Sequence, residues 1–273
     1  MYSGSTMTPM SGRILGAHQK IDRVARRHLK QLAPHVYFPT IRGILHFEGV
    51  KGPDAIKRKS PAKDEPWHYI QPFDCNDIQL IGLIEDHYKQ LVKALKKQDS
   101  VRAGFEAAWL AHAVVDGLTP AHHYPYEEKL VELRGGEPNH TRTTIYKKLI
   151  LPGETLKHQF SNNYKMWGPK GLFTTHGLFE WGVAVLLAPS HIKWKAPKVD
   201  KITAFTNQTL AQWYREAAQD VARMELYDEF YKSGWTLPLA RRVRNQLAPI
   251  LIQSVSVIWY GAAKDAGVLQ GSK

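Results

Sequence analysis

The chain has 273 residues, of which 43% are apolar and 11% aromatic; this is enough for a sizeable hydrophobic core and excludes an intrinsically disordered protein. Its formal net charge of +12 favours anionic partners such as phosphate esters, lipid head groups or nucleic acid. The single cysteine, Cys75, excludes an intramolecular disulfide and a Cys-rich zinc finger. A metal site in this chain therefore has to use His, Asp and Glu.

The first twelve residues, MYSGSTMTPMSG, have neither the basic start nor the apolar stretch of a secretory signal. No run reaches the roughly 18 consecutive apolar residues that a membrane-spanning helix requires. We therefore expect a cytoplasmic protein. Residues 1–12 are expected to form a flexible tail and residues 13–270 a single helical domain.

Apolar residues recur at three- and four-residue steps through most of the chain, and no segment shows the alternation of a strand. The sequence therefore predicts an all-α fold. In chain order, the apolar stripes that indicate helices cover residues 14–29, 80–95, 105–115, 172–187, 210–224 and 247–259.

Two segments interrupt this pattern. Residues 50–73 are rich in Pro and Lys and are predicted to be a long loop, which in a compact domain is usually mobile or functional. Residues 124–170 contain several Gly and Pro and are predicted to be irregular, as an insertion or a lid.

The segment AHAVVDGLTPAHH carries the most informative pattern. His112 and Asp116 lie four residues apart, so on a helix they share one face and can bind one ion. Pro120 is expected to end that helix just before His122, a third potential ligand. Because the face is apolar, an ionised Asp116 needs a cation or hydrogen-bond donors to offset its desolvation. The alternative is a core histidine beside a helix-end carboxylate that contacts solvent.

A second pair has the same spacing. His176 and Glu180, in TTHGLFEWGVAV, lie four apart on another apolar stripe, with Thr174 or Thr175 as a possible N-cap. Two inward-facing pairs are harder to attribute to chance than one.

Three further residues have weaker local signals. His18 lies on the apolar face of the first predicted helix, as a core histidine or as a ligand, whereas Asp22 is expected to be solvated or ion-paired and not a ligand. Asp54 and His68 lie in the long loop, where Gly-Pro-Asp alone is ordinary turn chemistry.

Taken in order, these residues resemble the metal-ligand series of the bacterial zinc-dependent phospholipases C, which the plant and fungal single-strand-specific zinc nucleases share. The match is closest in His112-x3-Asp116-x5-His122, with Pro120 two residues before the last histidine, and it extends from about residue 18 to residue 180. The resemblance implies a multi-helical fold of the phospholipase C and zinc nuclease type. It also implies a trinuclear metal cluster between the helices, formed by His18, Asp54, His68, His112, Asp116, His122, His176 and Glu180.

The resemblance implies two or three zinc ions per chain, although His with carboxylates also suits manganese or iron. In the family, the amine and carbonyl of the mature N-terminal residue complete the site of the first histidine. Because at least a dozen residues precede His18 and no signal peptide offers a cut, no such terminus is expected here. The implied assignment is one zinc on Asp54, His68, His112 and Asp116, a second on His18 with Asp116 bridging, and a third on His122, His176 and Glu180.

The implied activity is that of a phospholipase C-like phosphodiesterase, with a zinc-bound hydroxide attacking phosphorus and Asp54 as the catalytic carboxylate. Lys57 and Arg58 directly follow Asp54 and either attract an anionic substrate or belong to a solvated loop. Trp67 is either a substrate contact or a core residue.

Two alternatives remain open at this stage. One is a single-strand-specific nuclease or phosphomonoesterase on the same fold, with nucleic acid as substrate. The other is a non-catalytic protein, stabilised by zinc, that binds membranes or another anionic partner. The expected partners are thus a phospholipid or other phosphoester and an anionic membrane surface, and no obligate protein partner is implied.

Overall fold

The computed structural model describes residues 1–2, 15–49, 51–56, 66–189 and 194–269. Within these ranges all regular elements are helices, which confirms the all-α prediction. The fourteen α-helices are α1 (Ala17–Leu32), α2 (Ile41–Glu48), α3 (Pro53–Ile56), α4 (Gln79–Lys96), α5 (Ser100–Gly117), α6 (Tyr126–Leu133), α7 (Ile145–Leu149), α8 (Leu156–Trp167), α9 (Leu172–Leu187), α10 (Val199–Thr206), α11 (Leu210–Ala222), α12 (Leu226–Ser233), α13 (Leu237–Arg242) and α14 (Ala248–Asp265).

Helix α5 lies at the centre of the core. From Ala103 to Gly117 nearly all of its side chains are buried, because the sequence places small and apolar residues on every face. Helices α1, α2, α4 and α14 pack around it. The indole nitrogen of Trp259 in α14 donates a hydrogen bond of 3.1 Å to the carbonyl oxygen of Ala107 in α5, which ties the last helix to the central one.

Each of the six predicted apolar stripes falls on a helix, namely α1, α4, α5, α9, α11 and α14. The first residue of the first stripe, Ile14, lies outside the described residues. Two predicted boundaries are wrong. Helix α5 already ends at Gly117, and Pro120 begins a separate 3₁₀ helix, Pro120–His123. Helix α9 begins at Leu172 with Gly171 as its N-cap, so neither of the two threonines caps it.

Residues 124–170 are not irregular. They form α6, α7 and α8 with a short 3₁₀ helix, Asn139–Thr141, between the first two. The side chain of Thr144 accepts a hydrogen bond from the Lys147 N–H group, and that of Thr155 accepts one from the His158 N–H group. These N-caps start α7 and α8, and the Gly and Pro residues lie between helices.

The predicted loop at residues 50–73 contains the short helix α3, while residues 66–71 have no regular structure. Residues 50 and 57–65 lie outside the described residues. Helix α2, just before this segment, was not predicted.

Part of the predicted tail is buried. Met1 is 1% exposed, and the ring of Tyr2 lies 5.2 Å from that of Trp181. The Ala17 N–H group donates to the carbonyl oxygen of Tyr2 at 2.9 Å, which fixes the first two residues against the start of α1. For these two residues the expectation of a flexible tail is wrong, because they have core and backbone contacts. Residues 3–14 lie outside the described residues.

Leu237–Asp265, which includes α13, the π-helical turn Val243–Leu247 and α14, is long and apolar enough by length and composition to cross a membrane. However, 72% of its most apolar window is buried inside the protein. Its apolar character is therefore accounted for by core packing, as in the contact between Trp259 and α5.

Glycine at the end of α5 is required by close packing. A Cβ atom at Gly117 would overlap the hydroxyl of Tyr214 and a methyl group of Leu80. Tyr214 is fully buried, and its hydroxyl donates to the carbonyl oxygens of Ala113 and Val114 at 3.4 and 3.3 Å. Packing of α4 and α11 against the end of α5 thus depends on the missing side chain.

We predict that Gly117→Ala destabilises the protein by about 1–3 kcal/mol because of this overlap. The matched control is Gly82→Ala in α4, where a Cβ atom has no neighbour within 4 Å. That change should stabilise by about 0.5–1 kcal/mol because alanine has the higher helix propensity. Urea denaturation of both variants measures the difference, and equal effects of the two substitutions would contradict the packing argument.

Candidate metal centre

The eight predicted ligands lie together in one buried cluster between α1, α5 and α9. His18 comes from α1, Asp54 from α3, His68 from the segment before α4, and His122 from the 3₁₀ helix. The side chain of Glu180 is the most exposed of the eight, at 14%. The cluster therefore combines side chains from six elements of the chain, including α5, which contributes His112 and Asp116, and α9, which contributes His176 and Glu180.

Both predicted pairs have the geometry of neighbours on one helix face. His112 Nε2 lies 3.1 Å from Asp116 Oδ2, and His176 Nε2 lies 3.1 Å from Glu180 Oε1. The four-residue spacing brings these side chains together, and apolar residues around them place both pairs inside.

Two groups that share no residue each have three ligand atoms within 4.8 Å of one another, and a further group of this kind, His18, Glu48 and His112, overlaps the first. The first group consists of Asp54, His68 and His112. The second group consists of His122, His176 and Glu180. In it, a single oxygen of Glu180 lies 2.9 Å from His122 Nε2 and also contacts His176. Each group has three protein ligands, the number that is typical of catalytic zinc sites.

Asp116 lies between the two groups. Its Oδ2 atom is 2.5 Å from His68 Nδ1 and contacts His112, whereas Oδ1 is 3.2 Å from His18 Nε2 and 3.7 Å from His122 Nδ1. The two oxygens thus point to different sets of histidines. This is the arrangement that a carboxylate bridging two ions requires.

The amine and carbonyl of Met1 reach the cluster. The amine forms ion pairs with Asp116 Oδ1 and, at 3.1 Å, with Glu180 Oε1, and the carbonyl oxygen lies 2.9 Å from His18 Nε2. The expectation that no terminus completes the His18 site is therefore wrong. It was based on the length of chain before His18, but a chain that returns to the core can bring its first residue there.

The charges of the cluster are strongly coupled. Burial alone would raise the pKa of Asp116, but the Met1 ammonium and the surrounding histidines hold it well below its usual range. The same ammonium and His176 hold the pKa of Glu180 low against its burial. Burial and the ammonium lower the pKa of His122 to about 3. His122 is thus a neutral imidazole, the form that binds metals.

The donor set fits a bound cation. Burial lowers the pKa of His112, but Asp116 and Glu48 outweigh it and raise the pKa to about 10, so positive charge is favoured at this position. Nε2 of His112 is buried without a well-directed hydrogen bond although two carboxylates lie within 4 Å, with Asp54 Oδ1 at 3.8 Å. A divalent cation would satisfy this nitrogen and compensate the buried carboxylates.

Sequence reasoning missed Glu48, at the end of α2. It is fully buried, and its Oε1 and Oε2 atoms lie 3.1 and 3.3 Å from His112 Nδ1. A neutral His112 that donates its Nδ1–H group to Glu48 would present the Nε2 lone pair to the first group, as in many carboxylate–histidine–metal arrangements. No local signal marks Glu48, because its partner lies 64 positions further along the chain.

Asp22 also differs from expectation. It is 1% exposed and not solvated. Burial and the neighbouring Glu48 carboxylate raise its pKa well above the usual range. It lies one turn after His18, on the face of α1 that turns towards the cluster, and so adds a further buried carboxyl group beside the centre.

Of the predicted substrate contacts, only Trp67 belongs to the described residues; Lys57 and Arg58 lie outside them. Trp67 is half-buried and its indole nitrogen donates to the carbonyl oxygen of Tyr69 at 2.7 Å. The Tyr69 ring lies 5.2 Å from that of His122 and stacks on Tyr126 at 5.5 Å. These aromatic rings form a wall beside the second group, and burial raises the pKa of Tyr69 well above its usual range.

No protein-family model, no curated protein and no solved structure matches this chain. The description of the centre therefore depends on its own geometry.

We predict that Glu48→Gln weakens metal binding to the first group by about 10–100-fold, because the amide holds His112 less firmly than the carboxylate does. Chelator competition followed by metal analysis measures the affinity. Binding to the second group should change less, since Glu48 does not contact it.

The matched control is Glu106→Gln. Glu106 is another fully buried carboxylate that contacts a histidine, His87, at 2.6 Å, but it lies outside the cluster. An equal loss of metal affinity in both variants would mean that general destabilisation, and not the contact with His112, causes the effect.

Proposed function

We propose that the protein is a metal-dependent phosphoester hydrolase, most closely a phospholipase C-like phosphodiesterase. The observation that carries the proposal is the position of Asp116, whose Oδ2 atom faces His68 and His112 of the first group while its Oδ1 atom faces His18. Centres with two or more ions suit phosphoester hydrolysis because the attacking and the leaving oxygens both need stabilisation.

In this proposal three sites share the cluster. Zinc is the proposed metal because the ligands are imidazoles and carboxylates. When bound, the ions lower the pKa of a water molecule and neutralise charge on the phosphoryl oxygens. The sites are Asp54, His68, His112 and Asp116; His122, His176 and Glu180; and His18 with Asp116 and the carbonyl oxygen of Met1.

The chain's own residues orient the reaction. Glu48 lies 3.1 Å from Nδ1 of His112 and Asp116 lies 2.5 Å from Nδ1 of His68, so both imidazole rings are held in one orientation. Asp54 is the proposed acceptor of the proton from the attacking water, because it is a carboxylate within the first group. Since Asp54 would both bind a metal and accept a proton, one substitution would not separate these two roles. Asp116 is therefore the residue replaced in the test of the proposal.

The substrate is proposed to enter at the second group. His176 and the Glu180 side chain are 8% and 14% exposed, more than the other predicted ligands. The wall formed by Trp67, Tyr69 and Tyr126 borders this side and would contact an acyl chain or a nucleobase. The net charge of +12 favours an anionic phosphoester in either case.

We predict that the purified protein contains two or three zinc ions per chain and hydrolyses a chromogenic phosphodiester. Asp116→Asn should lose most of the metal and reduce turnover at least about 100-fold, since it removes the carboxylate between the sites. Elemental analysis and the hydrolysis rate measure the two effects. Glu106→Gln, which alters a buried carboxylate on the same helix, should retain both.

Three outcomes would contradict the proposal. Without stoichiometric metal, the cluster would be a set of ordinary core residues. Full metal occupancy without hydrolysis of any phosphoester would favour the alternative of a structural centre. Activity that survives in Asp116→Asn would remove this residue from the mechanism.

We further predict faster turnover of phosphatidylcholine vesicles than of single-stranded DNA. Hydrolysis of phosphatidylcholine releases phosphocholine and leaves diacylglycerol, whereas hydrolysis of DNA releases nucleotides, so phosphate analysis and chromatography separate the two. A reversed preference would assign the same centre to a nuclease.

A further inference from the structure

Helix α8 presents its apolar side to solvent. Leu156, Phe160 and Tyr164 follow one another at four-residue steps and are 86%, 74% and 60% exposed, and Trp167, on the same face, is 36% exposed. In an ordinary surface helix such a stripe faces the core. Here the only buried residues of α8 are Asn162 and Met166.

The polar side of α8 anchors the helix. The Asn162 side chain donates to the carbonyl oxygen of Pro152 at 3.0 Å, and Asn163 both accepts from the N–H group and donates to the carbonyl oxygen of Leu151, each at 3.0 Å. These hydrogen bonds fix the helix with its apolar stripe outward. The outward orientation of the apolar stripe is thus a consequence of the hydrogen bonds on the opposite side of the helix.

The exposed stripe continues onto both neighbouring helices. The indole nitrogen of Trp167 donates to the carbonyl oxygen of Leu149 at 2.7 Å, and its ring lies 4.5 Å from that of Phe173 at the start of α9. We call the combined area the α7–α8 surface. Its residues, all exposed by more than a third, are Ile145, Tyr146, Leu149, Ile150, Leu156, Phe160, Tyr164, Trp167 and Phe173.

The segment that forms this surface is basic. Residues 139–171 contain six Lys or Arg and one acidic residue, Glu154. Lys147, Lys157 and Lys165 are exposed within it. Lys165 also lines a cavity of about 170 Å³ together with Lys170 and the ion pair of Lys129 with Glu132.

We propose that the α7–α8 surface binds an anionic phospholipid bilayer, with the aromatic and aliphatic side chains in the interface and the lysines at the head groups. Exposed Trp, Phe and Leu combined with lysines are typical of helices that lie in the membrane interface. A protein partner is less consistent with this composition, because lysine is depleted at protein–protein interfaces. The choice of a phospholipid as the occupant of this surface rests on the proposed hydrolase function. The exposure of the surface itself is observed independently of that function.

The surface is directly connected to the metal centre. Phe173, its last residue, lies in the first turn of α9, and His176 and Glu180 follow on the same helix. The side of the cluster proposed as the substrate entrance is thus on the helix that the membrane would contact.

The test is co-sedimentation with vesicles of phosphatidylcholine containing 30% phosphatidylserine, and with vesicles of pure phosphatidylcholine. The wild type should bind the anionic vesicles more tightly, and added salt should weaken this binding. The double variant Leu156→Ser/Phe160→Ser should lose at least about tenfold in affinity, since two large side chains no longer enter the interface.

The matched control is Val199→Ser/Leu237→Ser, which removes two apolar side chains that are 76% and 74% exposed on α10 and α13. It should bind vesicles like the wild type. Both double variants should keep their circular dichroism, their metal content and their rate on the soluble chromogenic diester, because the replaced side chains are exposed.

Loss of binding in Asp116→Asn is not expected, so a failure of the hydrolase proposal and a failure of the docking proposal are distinguishable. Equal binding of the Leu156→Ser/Phe160→Ser variant and the wild type would overturn the docking proposal. So would the absence of wild-type binding to either kind of vesicle. A wild-type dimer in lipid-free solution that this variant converts to a monomer would instead assign the surface to self-association.

Discussion

An ionised carboxylate buried in the last turn of an apolar helix is the constraint on which the rest of the structure depends. Asp116 is fully buried in α5, surrounded on its own helix by Ala, Val and Leu. Its desolvation is expensive unless positive charge and hydrogen-bond donors converge on it. The first residue of the chain, α1, the segment before α4 and the 3₁₀ helix after α5 all contribute such groups, and each of them packs on the central helix as a consequence.

The two pairs with four-residue spacing could be predicted from the sequence because they combine two local signals, helical periodicity and a ligand type on an apolar face. His112 with Asp116 and His176 with Glu180 both lie in the cluster. Asp54 and His68 were proposed from family resemblance alone, since nothing in a Pro- and Lys-rich loop indicates burial. The structure brings them to the same cluster, while the metals and the activity remain proposals.

Glu48 and Met1 could not be predicted because their roles depend on contacts across 64 and 115 positions. The prediction for residues 124–170 is wrong for a different reason: the Gly and Pro residues of this segment separate helices, which Thr144 and Thr155 cap, and do not make the segment irregular. The apolar stripe of α8 was not recognised either, since it is interrupted by polar residues and points outward. Periodicity indicates a helix but does not decide which face is buried.

The distribution of charge connects the centre with the α7–α8 surface. Five acidic residues, Asp22, Glu48, Asp54, Asp116 and Glu180, are gathered at or beside the cluster. Because the formal net charge of +12 already includes them, the remainder of the chain is more basic than that value. Divalent cations in the cluster would neutralise these carboxylates and leave the basic exterior unopposed. Metal binding at the centre should therefore strengthen the attraction to an anionic surface, although the two kinds of binding depend on different residues.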